Sequence, residues 1–203
     1  MTLIKLLLSV VLSFSMASCS RADDDFNAPL TLQIPKSTPG YQADPTHEKG
    51  DDAIYQTHGK LFSEGANATK LSDLPGATEP MATFKEIINS FGTKDPDVVK
   101  KFYDSEGAAA LTKLTSDPQI RARWVAEAGR MGGGNLVAVI QIDTGTYYFL
   151  IKYPSSQGTL VPVPVLIRRE GNAFLATSET ISGQMIPNIL MFLFNQPAEA
   201  LAR

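Results

Sequence analysis

Thiols, imidazoles and carboxylates do most of the chemistry available to side chains, and in this chain the first two are scarce. Among 203 residues there is one cysteine, Cys19, and there are two histidines, His47 and His58. Glu48, Asp51 and Asp52 stand near the histidines, but the grouping matches no spacing that would set ligands on one rigid element. No metal is expected. Proton abstraction needs a base within hydrogen-bond reach of its substrate. Asp104, Asp143 and Glu179 serve as such a base only if they point inward, and Asp143 falls in the turn-forming run Asp143-Thr144-Gly145. There is no Gly-x-Ser-x-Gly elbow. The triplet Gly132-Gly133-Gly134 follows a helical stretch and precedes Asn135, the reverse of a phosphate-cradling loop. The chain reads as non-catalytic, and no cofactor is expected.

Cys19 has another use. Lys5 precedes an apolar run from Leu6 to Phe14, and small residues then lead to the cysteine. A charged start, a short apolar centre and a small-residue end make a signal peptide, and the run is too short to cross a bilayer. Met16-Ala17-Ser18-Cys19 resembles the lipobox of bacterial lipoproteins. The resemblance implies removal of residues 1–18, diacylation of Cys19 and a membrane anchor. Ser20 in place of aspartate implies, by the same resemblance, delivery to the outer membrane with the protein facing the periplasm. A lone cysteine in an exported chain makes no internal disulfide, so acylation gives it a role. Each buried CH₂ of an acyl chain contributes about 0.8 kcal/mol, and two or more chains anchor stably.

Residues 19–50 read as the lipidated cysteine and a disordered tether, with Asp23-Asp24-Asp25 and prolines at 29, 35, 39 and 45. Residues 51–79 read as a weak helix and a loop. In the helix Ile54, His58, Leu61 and Phe62 share a face, and Gly59 weakens the interior. Residues 80–203 read as the compact domain. A net charge of −3 without a basic stripe argues against nucleic acid as a partner.

Within that domain Phe84, Ile87, Ile88 and Phe91 form a helical stripe ended by Gly92. Asp95-Pro96 and Asp117-Pro118 each start a further helix, with aspartate as N-cap and proline at the first helical position. Ile120, Trp124, Ala128 and Met131 share a face of the later one. Leu136–Asp143, Thr146–Tyr153, Thr159–Arg169 and Ala173–Thr180 read as strands. Pro162 and Pro164 restrict their strand to an edge or a bulge, because proline donates no ladder hydrogen bond. The run from Met185 to Phe194 is apolar nearly all round and must be covered, by its own core or by a partner or lipid.

The expected fold is therefore α+β, with N-terminal helices packed on a curved antiparallel sheet of about four strands and a C-terminal apolar helix. Pro80-Met81-Ala82-Thr83-Phe84, then Gly92-Thr93-Lys94-Asp95 and Val98-Val99-Lys100-Lys101-Phe102-Tyr103, resemble the opening of the nuclear-transport-factor-two-like cone superfamily. That resemblance implies a concave face for a ligand, a homodimer through the sheet, or isomerase or dehydratase chemistry from an Asp or His base and a Tyr donor. Trp124, Tyr147, Phe149 and Ile151 are the candidate walls of an apolar ligand site. The last three alternate to one face of a strand, a spacing that ordinary core also uses. The function expected is an envelope lipoprotein that binds a small apolar ligand or a protein partner. A scaffold acting through the sheet face or the terminal helix is the alternative, and a cone-type enzyme the second.

Overall fold

The computed structural model describes residues 28–43, 52–62, 69–70, 79–178 and 184–195. At its centre lies a hairpin of β4 (Asn135–Asp143) and β5 (Thr146–Pro154), closed by the Asp143-Thr144-Gly145 turn. Every residue of β5 from Thr146 to Tyr153 is buried. Because side chains alternate along a strand, such burial requires cover on both faces. Tyr147, Phe149 and Ile151 enter one core, while Tyr148 and Leu150 enter another. In β4 a bulge between Leu136 and Ala138 shifts the phase, so that Val137 and Ala138 both face the second core.

The first core is roofed by helices. α1 (Glu79–Gly92) buries Met81, Phe84, Ile87, Ile88 and Phe91, and its Phe84 ring stacks on Phe149 with centroids 4.3 Å apart. α2 (Pro96–Val99) is a single turn, N-capped by the Asp95 carboxylate accepting from the Asp97 N–H, and continues as a 3₁₀ turn over Lys100–Phe102. α3 (Ser105–Leu114) has no counterpart in the sequence reading. Its start is set by Asp104, whose carboxylate accepts the Gly107 N–H at 2.6 Å. α4 (Pro118–Met131) begins as expected at Asp117-Pro118, with the aspartate capping Gln119 and Ile120. After it, Gly134 passes so close to β5 that a Cβ would stand 2.7 Å from the Lys152 carbonyl oxygen.

The second core corrects two expectations. Residues 28–43 do not form a disordered tether: β1 (Pro29–Ile34) is a strand, with Leu32 and Ile34 buried. Pro29 opens this strand and Pro35 follows it, so neither interrupts the ladder, and alternate buried positions are enough for a strand covered on one face. Residues 53–61 are not a helix but β2 (Ala53–Leu61), in which Ala53 and Tyr55 point inward and Ile54, Gln56 and His58 point outward. Gly59 does not weaken this element; it permits it. Its φ is +149°, and a Cβ there would stand 2.1 Å from the Val139 carbonyl oxygen. Both strands pack against α5 (Met185–Asn195), whose Ile186, Ile189 and Leu193 are buried. The compact unit thus reaches back to residue 28, and the boundary expected at 80 is not a structural one.

β6 (Leu160–Glu170) pairs with β5 along its length, whereas β7 (Ala173–Ala176) pairs only with Ile167–Glu170. Pro162 and Pro164 stand in the part of β6 that runs past β7, where a missing N–H costs no ladder bond on the outer side. With β3 (Thr69–Lys70) pairing to the start of β4, the sheet has seven strands, not about four. All its strand pairs are antiparallel and six run in the order β1-β2-β4-β5-β6-β7. The protein is α+β, with helices on both faces of the sheet.

Candidate functional site

The residues expected to wall an apolar ligand site are occupied by protein. Phe149 and Ile151 are fully buried and Tyr147 nearly so, under α1 and beside Phe174. Trp124 is half-buried on α4, its ring 5.9 Å from that of Phe91. Beside these residues lies a slot of about 100 Å³ between Phe91, Tyr103, Met131, Val163, Val165 and Ala176. That is smaller than the roughly 300 Å³ at which small-molecule sites begin.

The candidate bases separate. Asp104 is buried beside Tyr103, but its carboxylate is spent as the α3 cap. Burial, and then the charge of Asp104, push the Tyr103 phenol above its ordinary range. Asp52 accepts hydrogen bonds from the Gln33 amide and the Lys36 N–H, which pins the end of β1. Among the described residues no three metal-type side chains converge. Cys19, the leader, His47, Glu48, Asp51 and Glu179 lie outside the described residues.

Asp143 and His58 share a site. They line an open cleft of about 390 Å³ with Gln141, Ile142 and Thr144, where β2 crosses the end of β4. Three local features build it. His58 pairs directly with Gln141 across the β2–β4 ladder, and the Thr57 hydroxyl donates to the Gln141 carbonyl oxygen at 2.9 Å. A second bulge in β4, between Gln141 and Asp143, makes Ile142 the extra residue and re-aims its neighbours. The Gly145 N–H then fixes the Asp143 carboxylate at 2.8 Å, and the Gly145 carbonyl oxygen accepts from the Arg169 N–H.

Gln141 is the unusual member. It is only 9% exposed as a residue, yet it lines the cleft. A polar side chain held mostly inside a strand and opening on a cleft can be reached by a ligand there without the strand having to move. The His58 side chain is exposed. Tyr147, paired with Gln141 on β5, feels this surface electrostatically. Burial raises its phenol pKa, Arg169 lowers it and Asp143 raises it.

Comparison with protein-family models, with curated proteins and with solved structures finds no match to this chain. The cleft is therefore read from its own groups: an amide, an imidazole, a hydroxyl and a carboxylate, with one aliphatic side chain. Sequence reasoning placed Asp143 in its turn but missed Gln141. The available signal was a glutamine inside the apolar run Leu136–Ile142, a polar residue at a position that a strand would bury.

Proposed function

We propose that this chain is a lipid-anchored envelope protein whose folded unit binds a small polar ligand, without covalent chemistry, in the cleft between β2 and the β4–β5 turn. The observation that carries the binding reading is that Gln141, a mostly buried glutamine inside an apolar strand, lines an open cleft together with His58, Asp143 and Thr144. The Met16–Cys19 lipobox resemblance carries the anchor. The two readings support each other in space. The Ala28 carbonyl oxygen accepts the Gly59 N–H, so the chain running from Cys19 joins the fold beside His58. At most about 30 Å of extended chain separates Cys19 from Ala28, which keeps the cleft near the membrane surface. Ser20 favours the outer membrane, with the cleft in the periplasm.

The test is the intact mass of the protein extracted gently from its own membrane. The expected species begins at Cys19 and carries acyl chains; an unmodified mass overturns the anchor. A non-covalent companion of a few hundred daltons that is lost in Gln141→Leu supports the cleft. The same companion retained by that variant sinks it.

A further inference from the structure

We infer that the cleft takes a saccharide, an uncharged ligand with neighbouring hydroxyl or acetamido groups; this rests on the reading of the cleft as a binding site. Gln141, Thr144 and His58 each offer a donor and an acceptor, and Asp143 adds acceptors only. Adjacent hydroxyls present donors and acceptors in close pairs, which a carboxylate and a hydroxyl side chain satisfy together. An acetamido group matches the Gln141 amide through both its N–H and its carbonyl. No lysine or arginine is among the described residues that line the cleft, so a phosphate would find no fixed positive charge among them. A divalent cation would find one carboxylate where such ions take six or more oxygens. The aliphatic Ile142 supplies the apolar contact that the carbon face of a sugar ring can use. The cavity volume lies at the small end of the range of ligand sites and suits one or two rings.

The experiment is a nuclear magnetic resonance titration of the full acylated chain in detergent. The probes are the β-1,4-linked trimer of N-acetylglucosamine, inorganic phosphate and calcium chloride, added separately. The trimer is expected to shift the Gln141 side-chain amide and the backbone signals of His58 and Thr144 at millimolar concentration. Gln141→Leu should weaken that response about tenfold or more, as the loss of two hydrogen bonds implies. Thr144→Ala, on an exposed turn, should weaken it less, and its folded spectrum guards against misreading a folding defect. If phosphate or calcium shifts these signals and the trimer does not, the saccharide assignment falls while the binding reading stands. If no probe shifts them, both fall.

Discussion

Lys152 donates a hydrogen bond from Nζ to the backbone carbonyl oxygen of Leu193 at 2.6 Å, linking the buried middle of the sheet to the last turn of α5. The final carbonyls of a helix have no partner within it and carry the negative end of its dipole, so a cation there is stabilising. The lysine stem lies in the second core, and its ammonium replaces the missing N–H donor. Lys152→Met keeps the stem and removes the donor. Unfolding in urea should show a loss of about 1–3 kcal/mol. A midpoint unchanged from wild type would mean that the contact adds nothing to stability.

Asn188 is fully buried and ties together two residues far from it in sequence, Gln42 and Tyr55. Its Oδ1 accepts the Gln42 N–H at 2.8 Å, and its Nδ2 donates to the Gln42 carbonyl and the Tyr55 hydroxyl, each at 2.9 Å. Asn188→Ala should cost about 2–4 kcal/mol and raise amide exchange at Gln42. Tyr55→Phe removes only one of those bonds and should cost about 1 kcal/mol. Equal effects from the two variants would contradict this arrangement.

Gly59→Ala puts a methyl group against the Val139 carbonyl, on a backbone conformation that only glycine adopts without strain. A cost of about 3 kcal/mol or more is expected, with disruption of the β2–β4 pairing that shapes the cleft. Gly158→Ala has open space around it at φ +77°, so it should cost only about 1 kcal/mol. Thermal melts of the two variants decide the point.

Phe149 belongs to the core and not to a ligand site. Phe149→Ala should therefore cost about 3–5 kcal/mol in stability. Phe149→Leu, which keeps most of the volume, should fold and leave saccharide affinity unchanged in the same titration. Weakened binding in the folded Leu variant would return the ligand to this face.

Tyr103 sets an alkaline limit. Burial and Asp104 raise its folded pKa above the ordinary value of 10.0. The folded state therefore binds the phenol proton more tightly than the unfolded state does. The resulting stabilisation is complete below about pH 10 and is lost as pH rises through the higher folded value. Tyr103→Phe should flatten that part of the stability–pH curve, measured by urea midpoints between neutral and strongly alkaline pH. A wild-type curve as flat as that of the variant would disprove the shift.

Much of the fold was legible because its cues are local. Phe84, Ile87, Ile88 and Phe91 repeat with helical spacing, Asp95-Pro96 and Asp117-Pro118 carry their own caps, and the β4–β5 hairpin announces its turn. β1 and β2 were not legible. Each shows water one face only, and the apolar surface that makes them strands comes from α5, far along the chain. A helical stripe through Ile54 and His58 therefore looked as good as the true alternation.

The sequence by itself determined the class of the fold, the starts of α2 and α4, and the central hairpin. Only the tertiary structure decided what those elements enclose. A side chain lines a cavity or fills a core according to what lies opposite it, and period-two spacing is the same in either case. Opposite Phe149 lies Phe84, which closes the expected site. Opposite Gln141 lies His58 on a strand the sequence had hidden, and the bulge at Ile142 leaves the space between them open.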